Sequence, residues 1–301
     1  MRTKPSVMIA FLIAASSSAV LAQSDFRVYG RINTSIERQT VGGSSVTAMV
    51  NNNSRIGFLG SESLGNGLKT GFALETGFQS DTGAGMLAGG GMSFARKSNV
   101  YLAGDFGKLS MGLAGGNSYD YVADYGVLDQ PNHDTGAVSD ALYYFTQRGS
   151  NGISYASPTV HGLTVVGAMS LHEGTPANQP NHVYDLAANW ALGAWSLGAG
   201  YTHNGSNSQW GARVHYTSGP FQIGAYYQHA DDAAGLACNN GGSACGKRHI
   251  ARVSAMYTVG AAEFVVGYGG ASQWEHIHNS SARQLMLGCN YHLSRRTKVY
   301  A

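Results

Sequence analysis

From Arg55 to Glu75 the chain spells out two strands and the turn between them. Ile56, Phe58 and Gly60 share one face of the first strand, and Arg55, Gly57 and Leu59 the other. Gly65-Asn66-Gly67 supplies the positive-φ residues of a tight hairpin. Beyond it Leu68, Thr70, Phe72 and Leu74 oppose Lys69, Gly71, Ala73 and Glu75. Side chains alternate across a strand, so one side is apolar and the other polar or very small. The pattern recurs down the chain. Val28, Ile32 and Ile36 oppose Arg27, Tyr29 and Arg31; Trp210, Val214 and Tyr216 oppose Gly211, Arg213 and His215; Leu285, Leu287, Cys289 and Leu293 oppose Gln284, Gly288, Asn290 and His292. A sheet of that length needs water on one face and an apolar medium on the other.

The connections sort into two kinds. Gly65-Asn66-Gly67, Asp105-Phe106-Gly107, Ser157-Pro158-Thr159, Gly193-Ala194, Ser218-Gly219-Pro220, Gly260-Ala261 and Ser294-Arg295-Arg296 are short. Residues 39–54, 80–93, 116–140, 173–181, 230–247 and 272–281 are longer and polar. Short turns at one end and long loops at the other describe an up-and-down meander. With strands of ~10 residues this is the signature of an all-β, transmembrane antiparallel β-barrel, with apolar residues towards lipid and the polar, glycine-rich face towards a lumen.

Residues 1–22 stand apart. Arg2 and Lys4 precede an apolar run from Val7 to Ala15, and Val20-Leu21-Ala22 has small residues where a signal peptidase reads. The run is too short to span a bilayer as a helix. A cleaved signal peptide over 1–22 is expected, exporting a barrel over 23–301 to the outer membrane. Composition fits: glycine is 42 of 301 residues, about twice ordinary usage, and charged residues are 12%, about half. A net charge of +2 argues against nucleic acid as a partner. Cys238 and Cys245 share one glycine-rich loop and are expected to pair in an oxidising compartment. Cys289 is expected to stay reduced. His249 beside them does not complete a metal site, and His161, His172, His203 and His229 read as polar rim residues.

Other all-β architectures fit less well. A soluble sandwich buries its apolar face, and a propeller repeats a blade signature that is absent from this sequence. An outer-membrane enzyme needs a Ser/His/acid group with an orienting partner, and no pair here has one. An adhesive surface protein predicts longer outer loops.

Val28-Tyr-Gly-Arg31, Asn53-Ser-Arg-Ile-Gly-Phe-Leu-Gly-Ser-Glu62, the run from Leu64 to Phe78, Asp105-Phe-Gly-Lys-Leu109 and Gly152-Ile-Ser-Tyr-Ala-Ser-Pro158 resemble the general-diffusion porins of β-proteobacteria. The resemblance covers essentially the whole chain after the signal. It implies a sixteen-stranded barrel in the outer membrane, assembled as a homotrimer among lipids, passing small hydrophilic solutes and ions by passive diffusion without cofactor or metal. The third long loop, 116–140, would fold inward as a constriction. Such porins close on a terminal aromatic residue, whereas this sequence ends at Thr297-Lys-Val-Tyr-Ala301. About fourteen complete strands and a stub are expected here, with the C-terminal strands missing. A non-functional truncated porin and a substrate-specific channel are therefore the alternatives to a general channel.

A pore works by size, charge and field. The loop 116–140 carries Asp120, Asp124 and Asp129, with Asp134 and Asp140 beyond them. Opposite it, Arg31, Arg55, Lys69 and Glu75 have lumen parity, Arg148 re-enters the sheet after the loop, and Arg96 opens the next strand. Arg55 and Arg96 resemble the basic cluster of the family's eyelet, although Arg96 shares its parity with Val100 and Leu102. A cationic wall facing an acidic loop sets up a transverse field and a preference for anions.

Overall fold

The computed structural model describes residues 24–113, 117–123, 141–144, 150–171, 182–235 and 243–301. The expected signal peptide, together with Asp124, Asp129, Arg148 and Cys238, lies outside the described residues.

In chain order the elements are β1 (Ser24–Arg31), β2 (Thr34–Val41), β3 (Ser44–Asn51), β4 (Arg55–Gly65), β5 (Leu68–Gly77), β6 (Lys97–Gly104), β7 (Gly107–Leu113) and the short helix α1 (Asn117–Val122). There follow β8 (Gly152–Ala156), β9 (Leu163–Ser170), β10 (Val183–Leu192), β11 (Trp195–Asn204), β12 (Asn207–Ser218) and β13 (Phe221–Asp232). The chain closes with β14 (Gly246–Val259), β15 (Ala262–Ala271), β16 (Ala282–His292) and β17 (Lys298–Tyr300). One antiparallel sheet of fifteen strands runs β1-β4-β5 and then in sequence order to β17. Fourteen are full strands and β17 has three residues, as the alternation predicts.

The burial of this sheet is inverted relative to a soluble protein. Leu285 is 68% exposed and Leu287 72%, and Phe264, Val266 and Tyr268 are exposed beside them. On the other face Asn207, Gln209, Arg213, Gln228, Arg252 and Asn290 are buried. Along β12 the buried positions are Asn207, Gln209, Gly211, Arg213 and His215, and Trp210, Ala212 and Val214 face out. An apolar outer band and a polar interior are what a strand wall in lipid requires.

Two connections differ from the sequence expectation. Residues 39–54 are not an irregular loop: β2 and β3 pair as a separate ladder closed by Gly42 and Gly43. They continue the β1–β4 hairpin beyond a kink. At the kink Asn53 takes φ 57°, a conformation Asn tolerates. The Ser54 hydroxyl receives the Asn33 N–H at 2.9 Å and donates back to the Asn33 carbonyl at 3.2 Å, replacing ladder bonds. Strand β11 is joined to β12 by a two-residue turn, Gly205-Ser206, at the end where the other connections are long. The alternation of loop lengths thus has one exception, at a position where Asn204 and Asn207 already pair.

The two edges of the sheet curl towards one another. The Tyr300 hydroxyl on β17 donates to Asn33 Oδ1 at 2.9 Å and accepts from Asn52 Nδ2 at 2.8 Å, so the last strand reaches the kink of the first hairpin. The main buried apolar cluster lies inside this curl. Val122, Ala123, Tyr143 and Tyr144, from the segment between β7 and β8, pack with Tyr226, Ala230, Ile250 and Trp274.

Candidate functional site

The residues proposed to line a passage form two groups on different arcs of the wall. The first is built on β1, β4 and β5. Cross-strand register aligns Tyr29 with Gly57 and Gly57 with Glu75. The Tyr29 ring lies over Gly57, where a Cβ would meet its Cζ at 2.4 Å. That lack of a side chain lets the phenol reach Glu75 Oε2 at 2.7 Å. One row along, Arg31 stands opposite Arg55, and Arg55 opposite Gly77. Arg96 runs over Gly77 and places Nε 2.7 Å from Glu75 Oε1; Arg55 Nε lies 3.9 Å from the same oxygen. Glu75 is 3% exposed, whereas both guanidinium side chains are 25% exposed. The carboxylate is sealed beneath its partners, and the cations form the surface of the group.

The second group lies on β10 to β13 and holds the chain between β7 and β8 against the polar face. Ser118 donates from its N–H to Asp185 Oδ1 at 3.0 Å and from its hydroxyl to Oδ2 at 2.8 Å. Thr202 donates to the same carboxylate at 2.9 Å, and Gln209 Nε2 donates to Ser118 Oγ at 2.9 Å. Arg213 Nε donates to the Tyr121 carbonyl at 2.9 Å and its Nη2 to Asn189 Oδ1 at 2.7 Å. Further along, Gln228 clamps Tyr144 by accepting its N–H and donating to its carbonyl, both at 2.9 Å. The Tyr144 hydroxyl donates to Asp232 at 3.1 Å. Burial, and then the Asp232 carboxylate, pushes this phenol above its ordinary range, so it remains a donor. Three wall glycines make room: a Cβ on Gly198 would meet the Tyr121 carbonyl oxygen at 1.9 Å, on Gly200 the Ser118 Cα at 2.6 Å, and on Gly211 Val122 Cγ1 at 2.9 Å.

The sequence-predicted residues divide accordingly. Arg55, Glu75 and Arg96 come together. Arg96 lies just before β6, so strand parity does not govern it, and its side chain turns inward. Arg31 is adjacent but bonds to the kink, donating to the carbonyls of Asn53 and Asn52 at 3.3 Å each. Lys69 has the inward parity but stands apart: six residues along β5 from Glu75 is about 20 Å. Asp120 is exposed on α1, whose Ser118 and Val122 face the wall. Strands β4 and β11 are seven places apart in the fifteen-strand order, so the two groups face each other across the curl. Cys245 is buried and disulfide-bonded, and Cys289 is free. Sequence reading missed Tyr29, Asp185, Gln209, Arg213 and Gln228 as a working set. Their inward parity was visible, but not that Asp185, Gln209, Arg213 and Gln228 would meet a docked segment.

Comparisons with known proteins bear on this arrangement. A family profile described as Gram-negative porin matches residues 9–301. Outer membrane porin protein 32 of Delftia acidovorans is 30% identical over 115 residues, which is 35% of this chain and 30% of that protein, so the match spans under a third of the relative. Among solved structures, an anion-selective porin from Comamonas acidovorans superposes with a TM-score of 0.71 at 22% identity, covering 92% of this chain and 87% of that one. The trimer form of OmpT from Vibrio cholerae superposes with a TM-score of 0.64 at 17% identity, covering 92% and 86%. These structural likenesses extend over nearly the whole wall.

Proposed function

The chain belongs to the Gram-negative porin family, an outer-membrane β-barrel family of channels rather than enzymes, and from that premise we propose that it conducts small hydrophilic solutes and ions by passive diffusion with a preference for anions. One observation carries the preference. Arg55 and Arg96 share a single, sealed carboxylate, so the group on β4, β5 and the approach to β6 presents positive charge to the lumen. Arg31 beside them adds to it. In a narrow, partly desolvated passage such charge acts more strongly than on an open surface. The anion-selective porin among the structural relatives supports the same reading.

The segment that carries Asp120 narrows the passage from the opposite side. Its contacts with Asp185, Gln209 and Arg213 support an inward-folded constriction loop over 116–140. The lumen is therefore crossed by a field from the arginines towards the loop carboxylates, which orients dipolar solutes. Assembly as a homotrimer follows the trimer form of OmpT. The test is reconstitution of untagged protein into planar bilayers under a salt gradient. Stepwise conductance with a reversal potential on the anion side is the expected result. Closed bilayers, or a cation-side potential, would overturn the reading.

A further inference from the structure

The outer surface of β12 to β14, near the end where loops are long, carries a cluster that the channel does not use. His229 and His249 are directly opposed across the β13–β14 ladder. Their rings lie 4.8 Å apart between centroids, and the two Nδ1 atoms are 3.4 Å apart. The Tyr227 hydroxyl is 2.5 Å from His249 Nδ1. Trp210 packs against both Tyr227 and His229, at 5.3 and 6.1 Å, so the rings hold one another in place. The backbone of His249 is fixed as well, its N–H donating to Ser272 Oγ at 3.0 Å and its carbonyl accepting the Ser272 N–H at 2.8 Å. The next pair on this face is Asp231 opposite Lys247, about 7 Å along the strands.

We infer that His229 and His249 form a chelating site for a borderline divalent cation of tetrahedral preference, Zn2+ foremost, with the Tyr227 hydroxyl hydrogen-bonded to His249 Nδ1 beside it. Three features point there. Metal–imidazole bonds of 2.0–2.1 Å at a tetrahedral angle set two ligand nitrogens about 3.3–3.4 Å apart, the separation seen here. Imidazole is the side chain these cations favour over the oxygen ligands that suit magnesium and calcium. The pair is also reachable: His249 is exposed, and both histidines lie three residues inside the strand ends at Asp232 and Gly246, about 10 Å from the rim. Lys247 weakens cation binding and Asp231, opposite it, offsets that charge. An N–H···N bond between the rings holds the same spacing without metal, so the site stays preorganised when empty.

The site is on the outside of the wall, so its failure leaves the channel reading untouched. The test uses the full, untagged chain in detergent. Titration with Cu2+, used as a paramagnetic stand-in for Zn2+, should show one equivalent bound, with an electron paramagnetic resonance pattern from two nitrogens. His229→Asn and His249→Asn should each weaken binding at least tenfold and reduce the pattern to one nitrogen. Far-UV circular dichroism and heat-modifiable mobility check that the variants fold. Independently of any substitution, Zn2+ should protect His229 and His249 of the wild type from diethyl pyrocarbonate. Absent binding, a two-nitrogen signal that survives in the double variant, or equal modification with and without Zn2+ would each overturn the proposal.

Discussion

Arg96 and Arg55 converge on one oxygen of Glu75, at 2.7 and 3.9 Å, while Tyr29 holds the other oxygen from across Gly57. Both cations are therefore fixed in direction by a group that solvent barely reaches. This relation generates the sharpest expectation. Replacing both arginines with glutamine should move the reversal potential in a salt gradient towards cations. The shift should be larger at about 0.1 M than at 1 M salt, because the Debye length falls from about 10 to 3 Å. Single-channel current should persist. An unchanged potential at low salt would remove these residues from the selectivity mechanism.

Glu75→Gln separates charge from architecture. The carboxylate neutralises part of the cluster, so its loss should make the channel more anion-selective. It should also lower resistance to heat. Each charge-assisted hydrogen bond lost contributes about 1.5–3 kcal/mol, and Arg96 and Tyr29 both donate to this group. Reversal potential and the temperature of heat-modified migration measure the two effects. A shift towards cations would contradict the arrangement.

Gly198→Val tests the docked segment. Gly198 has ordinary strand φ, so the backbone accepts a side chain, but its Cβ would fall 1.9 Å from the Tyr121 carbonyl oxygen. The helix α1 must leave the wall, and Arg213 loses that acceptor. The expected outcome is a changed unit conductance with more flicker, at unaltered strand content by circular dichroism. Wild-type conductance in a folded Gly198→Val protein would show that this segment does not shape the passage.

Gly57→Ala should break a contact that spans its own strand, from β1 to β5. The added methyl collides with the Tyr29 ring, so the phenol is displaced from Glu75. Tyr29→Phe removes the same hydrogen bond without the collision. Both variants should share a modest loss of heat stability, larger in Gly57→Ala. Equal and unchanged stability in the two would mean that the row Tyr29–Gly57–Glu75 is not an interacting unit.

Thiol labelling checks the faces. Cysteines introduced at Gln284 should react with a small water-soluble reagent from the lumen. Those at Leu285 and Leu287 should be protected by detergent or lipid. The reverse pattern would place the sheet inside out.

The wall was legible because its rule is local: Leu285 and Gln284 differ by one residue and therefore by one face. The same rule put Arg55 and Glu75 on the inner side. It failed at Arg96, which precedes its strand and so escapes parity. It also failed at Lys69, where the right face lies about 20 Å too far along the strand. The kink at Asn33 and Asn52 to Ser54 was hidden for another reason. Polar residues there read as loop, whereas the Ser54 hydroxyl keeps the two chains paired. The partners of Asp185 and Gln209 were not legible because they come from Ser118, 67 and 91 residues away.

The glycines at 198, 200 and 211 sit under the docked segment, while the arginines that carry charge sit on β4 and just before β6. If the channel works as proposed, its aperture and its electrical character are written in separate stretches of the gene. A lineage would then exchange arginine for glutamine on one arc and change which ions pass, with the bore unchanged. It would equally enlarge or shrink residues beneath the helix and alter the size limit at constant charge. Two traits that a single ring of residues would bind together would be open to independent selection in such a channel.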